Sequence, residues 1–258
     1  MGVISLSVYG RGWALHQLVP FVDKLFGLAG AMDNRMLGVN DFWLRLPIML
    51  LALACPNTSV LLVAHVINLA SWAYWMPAVW DYMCWCAITE LTFICAALGR
   101  GGDAAVGGRA VRALRPVLLI LYTSAAFWKL TSGWFEPRVS CATVLMAELV
   151  SSPLFPEGAA MDGFLSAMLL AAPTLVAALE FAVPLTLWAS PRWGVLLALV
   201  FHQTINLMPM TYAGGFSISM CCRLVLFLPA SRVQARKCCT PCCDAARIWI
   251  VDIVAHIL

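Results

Sequence analysis

A single lysine stands near the end of a long apolar run in the middle of the chain. The run ends in YTSAAFWKLTSGWF, residues 122–135, where Lys129 lies between a tryptophan and a leucine. An ionisable residue inside a membrane segment marks a candidate functional site. Alternatively, a lysine near a helix end extends its ammonium toward the lipid headgroups. The spacing of the residues leaves both interpretations open.

Five further ionisable residues fall deep within apolar segments, and they are His65, Glu90, Glu180, His202 and Arg223. A charge at mid-bilayer costs at least about 2.5 kcal/mol, so each of them needs a partner. Counting along alternating helices places Glu90 and His202 near the midplane, and Glu180 and Arg223 toward the more basic face. We therefore predict that each pair satisfies itself, with Glu180 and Arg223 forming a structural ion pair.

His202 has polar neighbours in the stretch FHQTINLMPM, where Gln203 and Asn206 lie within one turn of it. This spacing indicates either a polar cavity that binds a ligand or hydrogen bonding between membrane helices. We include Glu90 and Asp81, from an earlier apolar segment, among the candidate pocket residues.

Two other motifs suggest chemistry but favour simpler interpretations. The stretch KCCTPCC at 237–243 offers cysteine thiolates as zinc ligands. Its four cysteines, from Cys238 to Cys243, lie within six residues and are too crowded to enclose one tetrahedral ion, so we predict no metal site. We favour an acylation site or an unmodified loop. GRGGDAAVGGRA at 99–110 lacks the Gly-Lys-Ser/Thr ending of a phosphate loop, and we predict a flexible connection.

The composition identifies the class of protein that must position these residues. The chain has 258 residues, of which 62% are hydrophobic and 11% charged, and its mean hydropathy is +0.88. Soluble domains carry about a quarter charged residues. The composition therefore predicts an integral membrane protein with lipids and other membrane subunits as partners, and we expect no nucleic-acid partner.

Proline, glycine and arginine divide the chain into eight apolar segments. They are residues 12–30, 42–55, 58–76, 82–98, 116–134, 163–189, 193–211 and 215–229. We predict an all-α polytopic bundle of about six to eight transmembrane helices with no soluble domain. Residues 1–41 would form an interfacial or first membrane helix, 42–230 the bundle, and 231–258 a Cys-rich basic loop and a short amphipathic helix. Pro173 and Pro184 should interrupt and bend the sixth segment.

Charge placement predicts the orientation of the bundle. If the segments alternate, the connections at 99–115 and 230–247 share one face and carry most of the arginines, whereas acidic residues collect on the other face. The positive-inside rule then puts these two connections on the cytoplasmic, matrix or stromal side. We favour an organellar inner membrane, mitochondrial or thylakoid, over the endoplasmic reticulum.

Two stretches of the chain resemble segments of a known protein family. YTSAAFWKLTSGWF resembles the tyrosine, small-residue, Lys-Leu and tryptophan segment of the vitamin K-dependent gamma-carboxylase family and its bacterial relatives, the horizontally transferred transmembrane domain (HTTM) proteins. LEFAVPLTLWASPRWGVLLALVFHQTINLMPMTYAGGFSISMCCRLVLFLP resembles their acidic helix, short Arg-containing turn, Phe-His helix and Phe-Ser segment. The resemblance covers about residues 80–230.

By this resemblance Lys129 occupies the position of the family's catalytic base. In the carboxylases that lysine deprotonates a reduced quinone, which reacts with oxygen and yields a base strong enough to take a proton from glutamate before CO2 is added. The carboxylases also have a large lumenal portion for their protein substrate, whereas this chain continues for about 30 residues beyond its last predicted crossing.

Two functions follow from these observations. The first is a non-enzymatic accessory or scaffold subunit of a larger membrane complex, with a quinone, pigment or lipid as its candidate ligand. The second is a quinol-dependent, carboxylase-like or oxidoreductive enzyme in which Lys129 is the base and His202 a pocket residue. We favour the first.

Overall fold

Helices make up nearly all of the chain that the structure, a computed structural model, describes: residues 5–25, 35–36, 39–75, 81–151, 159–206 and 214–228. The helices are α1 (Leu6–Leu25), α2 (Asp41–Ala54), α3 (Thr58–Trp75), α4 (Asp81–Ala97), α5 (Asp103–Thr131), α6 (Cys141–Val150), α7 (Ala159–Ala189), α8 (Pro191–Asn206) and α9 (Gly214–Arg223), and a 3-10 helix, Leu224–Phe227, follows α9 directly. Two short strands, β1 (Arg35–Met36) and β2 (Val39–Asn40), pair antiparallel with Arg35 opposite Asn40. The predicted all-α class is confirmed.

Each of the eight predicted apolar segments overlaps one of these α-helices, although α1 and α5 begin well before the predicted bounds. The boundary between α2 and α3 falls at Cys55-Pro56-Asn57, where the sequence predicts it, and Asn57 caps α3 by accepting a hydrogen bond from the backbone N–H of Val60 at 3.0 Å. Helix α6 was not predicted, because ten residues are too few to produce a membrane-length apolar segment.

The predicted flexible connection at 99–110 is wrong beyond residue 102, because α5 already begins at Asp103. Only the start of the glycine-rich stretch is a turn, with Gly101 in the left-handed region at φ 117°. Gly107 lies within α5, and a Cβ atom placed there would come within 3.1 Å of the backbone nitrogen of Leu6. This glycine therefore allows α1 and α5 to approach closely and does not loosen the chain.

An arginine holds the turn between α4 and α5. The guanidinium of Arg109 donates hydrogen bonds to the carbonyl oxygens of Ala96 (3.0 Å), Gly99 (2.8 Å) and Arg100 (2.8 Å). These bonds satisfy carbonyl groups that the end of α4 leaves without helical partners. Arg109 thus has a structural task in addition to its predicted place on the basic face.

The two prolines of α7 do not interrupt it. The helix runs through Pro173 and Pro184 from Ala159 to Ala189, so the predicted interruption is wrong, whereas the predicted bend stays a prediction. Membrane helices tolerate proline where neighbouring groups satisfy the freed backbone atoms.

The described helices fall into two compact units. Unit 1 comprises Met1–Val117 and Cys222–Leu258, and unit 2 comprises Leu118–Cys221. In unit 1, α2 packs against α1 and α3, and α3 packs against α4; in unit 2, α7 packs against α6 and α8. The predicted division of the chain into three regions, with boundaries at residues 41 and 230, stays a prediction. The Cys-rich loop and amphipathic helix predicted for residues 231–258 lie outside the described residues.

Two of the described helices are long and apolar enough to cross a membrane, over Asp103–Thr131 and Asp162–Ala189. At a rise of 1.5 Å per residue, the 29 residues of α5 extend about 44 Å, more than a hydrocarbon core of roughly 30 Å. Four other apolar helices are shorter: Arg45–Ala54, Thr58–Tyr74, Cys84–Ala97 and Cys141–Val150.

Candidate functional site

A buried carboxyl group organises the interior of unit 1. Glu90, on α4, has a side chain with no exposed surface. Its Oε1 atom accepts hydrogen bonds from the indole N–H of Trp13, on α1, and from the amide of Asn68, on α3, each at 2.8 Å. Three helices are therefore joined at one oxygen atom. We call Tyr9, Trp13, His65, Asn68 and Glu90 the Glu90 cluster.

His65 is the second ionisable member of the Glu90 cluster. Its Nδ1 atom lies 2.6 Å from the carbonyl oxygen of Leu61, which can only accept, so Nδ1 carries a hydrogen. Its Nε2 atom lies 2.9 Å from the hydroxyl of Tyr9 and 3.5 Å from Oε2 of Glu90. The imidazole ring is stacked between Trp13 and Phe93, with ring centroids 4.4 Å and 4.1 Å away.

Two arginines lie around the Glu90 cluster. Arg45 donates to Oδ1 of Asn68 at 2.7 Å, which orients the amide toward Glu90. Arg223 donates to Sγ of Cys86 at 3.1 Å and approaches Oγ1 of Thr89 at 3.5 Å. Arg223 therefore binds polar groups of α4 and brings a positive charge into unit 1.

A small cavity adjoins the Glu90 cluster. Its volume is about 20 Å³, and its lining includes Tyr9, Trp13, His16, Thr89 and Arg223. That volume suits one water molecule, with Tyr9, His16, Thr89 and Arg223 as its polar partners in a lining that is otherwise apolar. Pockets for organic ligands measure about 300–1,000 Å³, so a quinone would not fit in this cavity.

Lys129 is the centre of a different cluster, in unit 2. It lies in the last turn of α5, closer to the helix end than the sequence predicts, and its ammonium is 2.5 Å from Oε2 of Glu180, on α7. The ring of Trp134 covers the ammonium at 4.5 Å, and the indole N–H donates to the carbonyl oxygen of Pro173 at 2.8 Å. We call Lys129, Trp134 and Glu180 the Lys129 cluster.

The residues of the two pairs predicted from depth have other partners in the structure. Glu180 is paired with Lys129 and not with Arg223, which donates instead to α4. Glu90 has its partners within unit 1, whereas Nε2 of His202 lies 2.8 Å from the hydroxyl of Tyr122 in unit 2. Counting along a helix gives the depth of a residue but not the neighbour toward which it points.

The predicted pocket residues are found in separate environments. His202 is fully buried, whereas Gln203 is exposed and its amide lies 3.7 Å from Sγ of Cys221. Asp81 begins α4 and Asn206 ends α8, but their side chains are outside the described residues.

Sequence reasoning missed three members of the Glu90 cluster, namely Tyr9, Trp13 and Asn68. One signal was present, because His65 and Asn68 are three residues apart and share a face of α3. Tyr9 and Trp13 are likewise four residues apart on α1. Nothing in the sequence indicates that these two faces meet.

No group of three or more metal-binding side chains occurs in the part of the chain that the structure describes. The Cys238–Cys243 motif lies outside that part.

The Lys129–Glu180 pair supports a test by paired substitution. We expect Glu180→Gln to lower the free energy of unfolding by about 2 kcal/mol, because it leaves a largely buried ammonium without its counter-charge. The double variant Lys129→Met with Glu180→Met should recover most of that loss. Chemical unfolding in detergent micelles measures both, and Glu136→Gln, at an exposed acid, should change little. A double variant no more stable than Glu180→Gln would contradict the pairing.

Comparison of the chain with known protein families, with curated proteins and with solved structures gives no match.

Proposed function

We propose that this chain is a multi-pass integral membrane protein that serves as a non-enzymatic accessory subunit of a larger membrane complex. The observation that carries the proposal is that large apolar side chains are exposed on the outside of the helical units. Several polar side chains are also buried in their mainly apolar interior. In soluble proteins charged residues are almost never fully buried and large apolar surfaces are rarely exposed.

The buried polar side chains come from most of the described helices: His16, Gln17, His65, Asn68, Ser71, Thr89, Glu90, Ser140, His202, Ser217 and Ser219. The exposed apolar residues include Leu98, Ile120, Phe127, Leu170, Leu175, Leu185 and Val200. A lipid bilayer or an apolar partner protein removes such residues from water, whereas an aqueous compartment would leave them exposed.

Exposed tryptophans favour the same conclusion. Trp128, near the end of α5, is 72% exposed, and Trp188, near the end of α7, is 75% exposed. Tryptophan is enriched at both membrane–water interfaces. Both residues lie near the C-terminal ends of their helices. Because the predicted transmembrane segments alternate in direction, these two ends would lie on opposite sides of the bilayer. We propose that they mark the two interfaces, and that α3 and α4, with 18 and 17 residues, cross the bilayer alongside α5 and α7.

The Lys129 cluster favours a scaffold over an enzyme. A catalytic lysine must reach its substrate with its ammonium nitrogen, but Glu180 and Trp134 already occupy the surroundings of that nitrogen. The side chain of Lys129 is only 13% exposed. The resemblance to the HTTM proteins remains part of the proposal as a likeness of architecture. Lipid is the ligand class that the apolar exterior favours, and an organellar inner membrane is the proposed location.

Topology mapping tests the proposal directly. Gly102 lies just before α5, where an added side chain meets open space, and Glu136 is exposed just after it. A short glycosylation or epitope cassette inserted at each position should be accessible from opposite sides of sealed vesicles. The chain should also remain with the membranes after an alkaline carbonate wash and dissolve only in detergent.

Copurification tests the accessory role. We expect the full-length tagged chain, extracted in mild detergent, to retain stoichiometric membrane polypeptides that mass spectrometry identifies. Access to both cassettes from the same side would refute the membrane topology. A chain that spans as proposed but purifies alone, as a stable monomer, would refute the accessory role and leave the topology intact.

A further inference from the structure

We infer that His65 and Glu90 form a buried proton-binding site, which exchanges its proton through Tyr9 and a water molecule in the adjoining cavity. This inference goes beyond the accessory role and does not depend on it. All of the groups involved belong to unit 1. Buried Glu and His side chains in membrane proteins commonly serve proton relays.

One oxygen of the buried Glu90 carboxyl group has no proton donor. Oε1 of Glu90 already accepts two hydrogen bonds, whereas Oε2 has no hydrogen-bond partner among the described residues. Nε2 of His65 lies 3.5 Å from Oε2. The hydrogen of that ring is on Nδ1, bonded to Leu61, so Nε2 accepts the hydroxyl hydrogen of Tyr9 and offers none to Oε2.

The protonation state of the pair decides whether this oxygen is satisfied. With no proton bound to the pair, Oε2 is a buried carboxylate oxygen without a donor, because Nε2 of His65 carries no hydrogen. A buried acceptor without a donor is destabilising by about 1–3 kcal/mol, and by more when it is charged. One bound proton, on Oε2 of Glu90 or on Nε2 of His65, removes this penalty.

The groups around the pair have opposing effects on its protonation, so the bound proton is exchangeable. The charged and titratable groups around the pair are Tyr9 and His16 on α1, Arg45 on α2, Cys86 on α4 and Arg223 on α9. The two arginines favour a carboxylate, whereas the apolar ring stack around His65 disfavours any ionised pair. No protonation state of the Glu90–His65 pair is therefore favoured by all of its neighbours.

The route for the proton begins at Tyr9. Its hydroxyl contacts Nε2 of His65 at 2.9 Å, and its side chain also lines the cavity beside Arg223 and Thr89. During uptake, a hydronium ion in the cavity gives a proton to the Tyr9 oxygen while Tyr9 gives its own proton to the pair. The hydronium ion becomes water, the phenol is unchanged, and the pair gains one proton.

Spectroscopy on the full-length chain in lipid nanodiscs tests proton binding. Infrared spectra with 13C-labelled glutamate should contain a protonated carboxyl band that is lost in Glu90→Gln, or the nitrogen-15 spectrum of the four histidines should show His65 as imidazolium. The histidine spectrum needs no change at either member of the pair, because single replacement of the other histidines assigns His65. An ionised Glu90 beside a neutral His65 at all pH values at which the protein is folded would overturn the inference.

Exchange kinetics test the route. Tyr9→Phe should slow hydrogen–deuterium exchange of the bound proton by about a hundredfold, as expected when a positioned proton-transfer group is removed. Tyr122→Phe is the matched control, because it removes a buried tyrosine–histidine contact of similar length in unit 2. An unchanged rate in Tyr9→Phe, or equal slowing in both variants, would overturn the route through Tyr9. Thermal unfolding confirms that the variants compared are folded.

Discussion

Replacing Glu90 with alanine is expected to lower the free energy of unfolding by about 4 kcal/mol. The change leaves the indole N–H of Trp13 and the amide of Asn68 without their acceptor, and it opens a void where three helices meet. When Glu90 is ionised, the change also removes a negative charge that Arg223 and Arg45 attract. Chemical unfolding in detergent micelles, followed by far-ultraviolet circular dichroism, measures the loss.

Glu90→Gln separates the loss of hydrogen bonding and packing from the loss of negative charge. Glutamine retains an oxygen that accepts from Trp13 and Asn68, and its amide carries hydrogens where a protonated glutamate carries its proton. We therefore expect Glu90→Gln to lose less than half as much free energy as Glu90→Ala. Equal losses in the two variants would mean that the negative charge, and not the hydrogen bonding, stabilises the cluster.

Replacing Gly194 with alanine is expected to disrupt the hairpin of α7 and α8. A Cβ atom at residue 194 would lie 2.3 Å from the backbone nitrogen and 2.5 Å from the Cα atom of Leu187. Backbone atoms cannot rotate away as a side chain can, so the two helices must separate. Overpacking commonly destabilises by about 1–3 kcal/mol, and we expect a loss at or above the upper end of that range.

Gly163→Ala provides a control of opposite sign. Gly163 lies in α7, and an added Cβ atom there meets open space. Alanine in place of a helical glycine should stabilise the protein by about 0.5–1 kcal/mol, because the unfolded chain loses conformational freedom. Thermal unfolding midpoints that fall in Gly194→Ala and rise in Gly163→Ala would agree with the prediction. A similar small rise in both would show that α7 and α8 are not in close contact at Gly194.

The Lys129 cluster shows how one residue type supports opposite functional hypotheses. A lone lysine in an apolar sequence resembles a catalytic base, and the same lysine beside Glu180 is a neutralised ion pair. The pairing neutralises the charge of Lys129 without any ligand. The tertiary contact, and not the residue type, therefore weighs against enzymatic chemistry at this position.

The sequence by itself determined the helical class and most of the helices of this protein. Helix formation depends on neighbours three and four residues apart, so the apolar runs and the break at Cys55-Pro56-Asn57 carry that information locally. Helix α6 and the early start of α5 were not predictable in this way. The first is too short to stand out, and in the second the packing of Gly107 against Leu6 overrides the usual effect of glycine.

Only the tertiary structure decided which polar side chains meet. Lys129 and Glu180 are 51 residues apart, and Trp13 and Glu90 are 77 apart. Whether such residues touch depends on how each helix is rotated about its axis and which helix lies beside it. Those variables are set by packing over whole helix surfaces, because every buried polar group must find a partner at the same time as the apolar surfaces fit together. A count along one helix contains neither of them.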